Sequence, residues 1–516
     1  MPFVPVTQSL ADLVGPEYVA AVCQASAVLT GGDQAVLRRL AEEPVDFWPE
    51  SLQRRLHDLL PRTGQIVVPT WTGSLAGAGT RAFCTATRTA SAPLAGLGYF
   101  RIGEDGRLYV TSKSEHYHAP LGHSFPGYAI VETARRLGIP NATHNNTRGA
   151  ITRRLEEELV RTANGLPPAP EGAPDLRDIL AADRADVLNR VFNLETGSVA
   201  VEAAVKLALC RFHRHLPNGP APLYEGRTPV FLVLGDDEGT PEGNYHGTTI
   251  FTQILRGLWP GLRSRLEAEN ALRVVAVRPN SLADLEDAFR EFERPPYKIA
   301  AFIHEIILMN FGARRLAEEF LRRAYALCTE HDVPTIADEI QSCMWYEGMF
   351  LFRQYGLTPS MVAIGKGFPG GEYPASRLLF SSRFDALPQF GALVTNGQEE
   401  LASLTYLVTM KWAEANGSAI AAIGRRLEDA FACLAHDFAG LIAGVEGRGH
   451  LLGLRFHDLP RGRAVVGALN DMGFDISLQT YKVNCPPVAL TKLPIIADEV
   501  LVDFTADCLR RALAKV

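Results

Sequence analysis

The sequence predicts an α/β protein: a large domain with a mostly parallel central sheet flanked by helices, plus a small α+β domain. Three observations predict it. From about residue 188, short apolar β-branched runs alternate with helical stretches, the pattern of strands covered by helices on both faces. After residue 416 that alternation gives way to a long helical run and mixed elements. The 516 residues also exceed what one core holds, since cores stop growing near ~250–300 residues.

The elements follow in order. Residues 1–95 read as a helical extension, with amphipathic stretches over 17–29 and 34–60. Within it, residues 64–95 are rich in Gly, Thr, Ala and Ser and read as irregular. Residues 97–110 (LGYFRIGEDGRLYV) read as a hairpin, two β-rich runs about a Gly-Glu-Asp-Gly turn. The stretch 96–165 leads into the small lobe, and the Pro/Gly run 166–174 is a loop. Strands are expected at 229–235, 273–278, 299–308, 333–337, 361–364 and 376–380. Helices are expected at 198–213, 282–292, 316–331 and 399–414, so the large domain spans 166–415. The tail, 416–516, is expected to hold a long helix, a strand over 447–456 and further mixed elements.

Composition narrows the function classes. Apolar residues make up 47% and charged residues 21%, as in ordinary soluble globular proteins. The net charge of -7 is interspersed, with no Lys/Arg block for nucleic acid and no basic amphipathic segment for a membrane surface. The first residues, MPFVPVTQSLADLVGPEYV, lack a basic segment followed by an apolar run, so no cleaved leader is expected. No apolar run reaches the ~18–20 residues of a membrane span. The eight cysteines are scattered without a CxxC pair; free, mostly buried thiols and a cytoplasmic location are expected, and no metal site.

Ligands in open α/β sheets sit at the carboxyl ends of strands, so the residues after each strand carry the chemistry. After 333–337 comes Asp338-Glu339-Ile340-Gln341, an acid that burial tolerates only when paired. It suits a pyridinium nitrogen, or equally a helix cap or ion pair. After 361–364 comes Gly365-Lys366-Gly367. A desolvated lysine there can act as a nucleophile or Schiff-base amine; otherwise it is an exposed loop lysine. The letters of residues 365–370 fit G-x-G-x-x-G, but prolines and a strand follow instead of a helix, which argues against a dinucleotide site. Thr196-Gly197-Ser198 opens a helix, either as a phosphate site or as a plain cap. Tyr245-His246-Gly247 ends a Gly-rich loop, and the Tyr either stacks on a flat ring or packs in the core. Each motif alone is weak; their order and spacing carry the weight.

Together they resemble the class-III aminotransferases, pyridoxal 5'-phosphate (PLP) enzymes of fold type I. VFNLETGSVAVEAAVKLA (191–208) is similar to the family's S-G-T-E-A-x-E-A-A stretch, and NYHGTT (244–249) to its Y-H-G turn. IHEIIL (303–308) resembles its V-E-P strand end, and residues 336–376 resemble its D-E-V-Q to G-K-G block. LGHSFP (121–126), TNGQEELAS (395–403) and VEGRGHLLGL (445–454) match further segments, so the resemblance runs from about residue 97 onward.

The resemblance implies that Lys366 holds PLP as a Schiff base and then shuttles a proton. It implies that Asp338 pairs with the pyridine nitrogen, that Gln341 approaches the ring hydroxyl, and that Gly197 and Ser198 bind the phosphate. Tyr245 would stack on the ring with His246 beside it, and Glu305 would be an active-site acid. Thr395 would reach the phosphate of a neighbouring subunit, which implies a homodimer with interfacial active sites. The reaction implied is transamination between a small-molecule amino donor and a keto or aldehyde acceptor.

Several positions depart from the pattern. Val199 replaces an acid, Ile306 replaces the Pro after Glu305, MNFGA (309–313) replaces Q-G-E-G-G, and Glu399-Glu400 replaces N-P. Val483 stands where carboxylate-binding members carry Arg, with Lys482 beside it as a substitute point charge. These leave racemisation, decarboxylation or elimination on the same scaffold as an alternative. A non-catalytic relative is more remote, because the Lys366/Asp338 pair is present.

Overall fold

The computed structural model of the chain describes residues 3–479 and 485–516. The N-terminal region is helical: α1 (Pro16–Thr30), α2 (Gln34–Glu42) and α3 (Glu50–Leu59). The expected continuous stretch over 34–60 is therefore divided. Pro44 and Pro49 break it, since proline supplies no N–H to a helix interior, and Pro49 instead caps α3. Between them Phe47 and Trp48 turn inward, and Trp48 stacks on Phe125 with centroids 6.2 Å apart.

Residues 64–95 are largely irregular and exposed, apart from a short helix at Arg81–Ala86. The expected hairpin is present and gains a strand: β1 (Pro93–Leu97), β2 (Phe100–Gly103) and β3 (Leu108–Val110) form a three-stranded meander. β1 carries Pro, Ala and Gly where a strand signal needs β-branched residues, which hid it. Then come α4 (Ala150–Ala163) and a second helix, Ala173–Ala181, that starts inside the predicted Pro/Gly loop.

The central sheet is built from β4 (Arg190–Leu194), α5 (Gly197–Leu209), β5 (Thr228–Leu234), β6 (Arg273–Val277), α6 (Leu282–Phe292), β7 (Tyr297–His304), α7 (Glu318–Glu330), β8 (Thr335–Asp338), β9 (Met361–Ile364) and β10 (Ser376–Phe380). Its order is β4-β10-β9-β8-β7-β5-β6. β10 runs antiparallel to both neighbours, and the remaining pairs are parallel. All seven residues of β5 are buried, as a strand covered on both faces requires. Helix starts follow local chemistry: Thr196 caps α5, accepting from Val199 N at 3.3 Å, and Ser281 caps α6, accepting from Asp284 N at 3.2 Å. β4 was not among the expected strands, because Arg190 and Asn193 interrupt its apolar run. The strand expected over 299–308 ends at His304, and Ile307–Leu308 pairs separately with Arg314–Arg315.

α8 (Glu400–Ala415) lies along α4, and α9 (Gly417–Asp437) begins the C-terminal part. There β11 (Ile442–Arg448), β12 (Leu451–Phe456), α10 (Leu459–Asp471), β13 (Ser477–Gln479), β14 (Val488–Lys492) and α11 (Glu499–Leu513) form an antiparallel sheet of order β11-β12-β14-β13 with helices. The single strand expected over 447–456 is thus a tight hairpin, turning at Gly449-His450, where Gly449 takes φ +60. No described helix is long and apolar enough to cross a membrane.

One departure noted in the sequence has a structural reason. Glu400 is buried, and its carboxylate accepts from Ile151 N at 2.9 Å, Thr152 N at 3.2 Å and Thr152 Oγ1 at 2.7 Å, capping the start of α4. Glu400→Ala leaves those donors buried without an acceptor. It is expected to cost about 1–3 kcal/mol, read as a lowered midpoint in differential scanning calorimetry, with Glu400→Gln falling between.

Candidate active site

β7, β8 and β9 run parallel and adjacent, so their carboxyl ends place Glu305, Asp338 and Lys366 side by side. In front of Asp338 and Lys366 opens a cavity of 690 Å³, also lined by Gly197, Ser198, Tyr245 and His246. The predicted residues therefore converge, with two exceptions. Glu305 is buried behind the lining, and Thr395 is exposed in a turn at Thr395–Gln398 that does not line this cavity. Lys482 and Val483 lie outside the described residues.

Asp338 is buried, and its carboxylate has two hydrogen-bond partners. Its Oδ1 accepts from Ile340 N at 3.1 Å, and its Oδ2 lies 2.8 Å from His246 Nδ1. Sequence reasoning put His246 beside a ring; the structure puts it against Asp338. The next acid, Glu339, points away and caps a short helix, accepting from Leu351 N at 2.8 Å and Phe352 N at 2.5 Å. Burial pushes its carboxyl up to about 7.

Lys366 sits two residues past β9 in left-handed backbone, φ 40. Its Nζ donates to Gln341 Oε1 at 3.0 Å. Burial brings its amine down to about 8, opposed by the carboxylates of Glu305 and Asp338. The flanking glycines are steric necessities. A Cβ on Gly365 would lie 2.3 Å from Ser376 Oγ, and one on Gly367 would lie 2.4 Å from the Trp345 ring. The chain after Gly370 runs into β10 and not into a helix, as expected for a site that is not a dinucleotide loop.

At the other end, α5 points its N-terminus at the cavity. Gly197 packs under Ile340, where a Cβ would come within 2.9 Å of that side chain. Ser198 Oγ accepts from Thr248 N at 3.0 Å, and Gly247, at φ +134, leaves no room for a Cβ above Ser198. This is a cradle of backbone N–H groups at a positive helix end, suited to a phosphate. Tyr245 lines the wall between, with the Arg256 guanidinium 5.3 Å from its ring centroid.

Several site residues carry no motif. Lys492, at the end of β14, is fully buried. Its Nζ lies 3.6 Å from the Trp345 ring centroid and donates to the Gln341 carbonyl oxygen. Burial drives its pKa well down. The Tyr117 ring centroid is 5.6 Å from Lys366 Nζ and 5.5 Å from Lys492 Nζ. A charged residue ending an apolar strand was the signal that singled out Asp338, and VALTK (488–492) carries the same signal. Lys113, His116, Ser477 and Gln479 also line the cavity and offered no signal of their own.

Residues 96–499 match the family Aminotransferase class-III. The chain belongs to that family. Its relatives include the adenosylmethionine-8-amino-7-oxononanoate aminotransferase of Nitratidesulfovibrio vulgaris, 30% identical over 55% of this chain and 48% of that protein. The acetylornithine aminotransferase of Xanthomonas campestris pv. campestris is 28% identical over 72% of this chain and 81% of its own length. The match thus spans about half of the first relative. Among solved structures, a Bacillus anthracis aminotransferase superposes with TM-score 0.66 at 17% identity, covering 90% of this chain and 99% of that one, and shows the same fold.

The family's cofactor is PLP, and the residues fit it. The start of α5 closes against Ile340 and the 247 turn only because Cβ atoms are missing at 197 and 247, and a phosphate suits the helix end so placed. The Asp338 carboxylate, backed by His246, suits a protonated ring nitrogen, and the Lys366 amine suits a carbonyl.

The lowered pKa of Lys366 sets a pH dependence. In cofactor-free protein, acetylation of Lys366 by acetic anhydride needs the free amine. Its rate is expected to rise with pH and level off above about 8, below the range of an ordinary lysine. Because Glu305 holds the pKa up, Glu305→Gln should move the curve to lower pH. Peptide mass spectrometry across pH reads both.

Proposed function

We propose that the protein is a PLP-dependent aminotransferase that moves an amino group from an amino acid or amine to a keto or aldehyde acceptor. One observation carries it: the Lys366 amine is hydrogen-bonded to Gln341 and shifted to about 8, in one cavity with Asp338. When bound, PLP supplies an electron sink for charge developing on the substrate carbon.

The chain's own residues would do the rest. Lys366 would anchor the cofactor covalently until an incoming amine displaces it. Its amine, near neutral acidity, would then carry a proton to and from the substrate carbon. Asp338, fixed by Ile340 N–H and His246, would hold the ring nitrogen protonated. Gly197, Ser198 and the start of α5 would bind the phosphate, and Tyr245 would cover one ring face. Gln341, which now holds Lys366, would approach the ring hydroxyl. Glu305 would act as a buried acid behind the reacting groups, raising the Lys366 pKa.

We further infer a homodimer with interfacial active sites. In support, Thr395 is exposed and is not among the residues that line its own chain's cavity. A cytoplasmic location accords with eight cysteines that form no disulfide, although only four of them (Cys23, Cys328, Cys343 and Cys508) are buried, fewer than the sequence suggested.

Borohydride treatment of the holoenzyme should fix the cofactor to Lys366, located by peptide mass spectrometry. Lys366→Ala should lose the adduct and at least about a thousandfold in turnover. With wild-type protein, keto product should accumulate only to one equivalent per site without an acceptor and continue when one is added. Continuous product without acceptor would instead mark a lyase or decarboxylase. Sedimentation velocity should give twice the 56.3 kDa chain mass, and a monomer would refute the dimer.

A further inference from the structure

The cavity in front of Lys366 carries an excess of positive charge. Lys113, Arg256 and Lys366 line it, and among the described residues its one lining carboxylate is Asp338, already held by His246 and Ile340 N–H. Arg256 is stacked on Tyr245, and Lys366 is bonded to Gln341. Among the described residues Lys113 makes one hydrogen bond, to a neutral hydroxyl: its ammonium donates to Ser477 Oγ at 2.9 Å and forms no ion pair.

The acids near Lys113 are engaged elsewhere. Arg101 is buried and takes both, with Nη1 2.6 Å from Glu115 and Nη2 2.7 Å from Asp475. His123 Nε2 adds a second contact to Glu115 at 2.7 Å. Arg101 thus holds the oxygens of these carboxylates, which act on Lys113 only through space, while burial, the first cause, lowers its pKa. A partly buried ammonium whose neighbouring carboxylates are committed to another cation is poised for an anion from outside.

The backbone around it is constrained for the purpose. Ser114, Glu115 and Tyr117 all take positive φ, at 46, 57 and 65, conformations that persist where the surroundings enforce them. The surroundings are the C-terminal sheet. Lys492 N donates to Ser112 O at 2.8 Å, and Ser114 Oγ donates to Lys492 O at 2.7 Å. Ser477 stands at the start of β13 in the same sheet. Lys113 is thereby held over the cavity by the same strands that bring in Lys492.

We propose that Lys113, guided by Ser477, binds the carboxylate of the amino substrate. This rests on the aminotransferase reading and names the group that would make amino acids, and not simple amines, its preferred donors. The side chain is a point charge and not a planar fork, so it favours no single carboxylate orientation and tolerates variation in the distance between carboxylate and amine.

The test has two arms. In the first, n-alkyl carboxylates from acetate to hexanoate are titrated into holoenzyme by calorimetry, which does not depend on turnover. At least one should bind wild type, and Lys113→Met should weaken it about tenfold or more. Lys113→Arg should restore most of the affinity, and Ser477→Ala, which leaves the charge in place, should weaken it by a smaller factor in the same direction. In the second, donors from glycine to 6-aminohexanoate are compared with matched n-alkylamines. The ratio of kcat/KM for amino acid over amine should fall about tenfold in Lys113→Met, chiefly through KM. If no carboxylate binds wild type, or Lys113→Met leaves binding and ratio within twofold, the proposal is wrong. An equal loss for amino acids and amines would also overturn it, marking a structural role. Failure of the aminotransferase reading shows separately, as carboxylate binding without turnover of any donor.

Discussion

Asp338 and Lys366 stand at the carboxyl ends of adjacent parallel strands, and withdrawing such charges from water costs free energy that the surrounding fold must offset. Much of the architecture answers that constraint. Asp338 receives a backbone N–H and the His246 ring, so its carboxylate oxygens both have partners in a buried place. Lys366 receives one neutral acceptor, Gln341, and two more distant carboxylates, so its charge is only partly supported. The asymmetry separates the roles. The acid is fixed by its hydrogen bonds, while the amine, brought down to about 8, is left close enough to neutrality to act as base or nucleophile.

The same constraint explains the crowding of small residues. Gly365 and Gly367 let the Lys366 backbone pass against Ser376 and Trp345, and Gly197 lets α5 close onto Ile340. A side chain at any of these positions would push apart the strand ends on which the geometry depends. Gln341 links the two lysines, accepting from Lys366 with its side chain and from Lys492 with its backbone. One residue therefore couples the central sheet to the C-terminal sheet that closes the cavity. The departures from the family pattern are not uniform decay: Glu400 gains a clear structural task in capping α4. For Val199 the structure offers no specific explanation.

Local sequence was enough for much of this. Apolar runs with β-branched residues located β5 through β10, because burial on both faces leaves a continuous hydrophobic signature. β1 and β4 escaped because Pro, Gly, Arg and Asn occupy them, and they are strands only through their neighbours. The hairpin of β11 and β12 read as a single strand because its turn is just Gly449-His450.

The site divides in the same way. Lys366, Asp338, Gly197, Ser198 and Tyr245 were legible because each follows a strand or starts a helix in a fixed order, and that order is a property of the chain alone. The family, the fold and the cofactor follow from it. Tertiary structure alone decided that His246 serves Asp338, that Lys492 stacks on Trp345, and that Arg101 takes Glu115 and Asp475. Those contacts join residues from 14 to 374 positions apart, most of them brought together by sheet order and packing. No local pattern records such a pairing, since what selects the partner is the burial of charge in three dimensions.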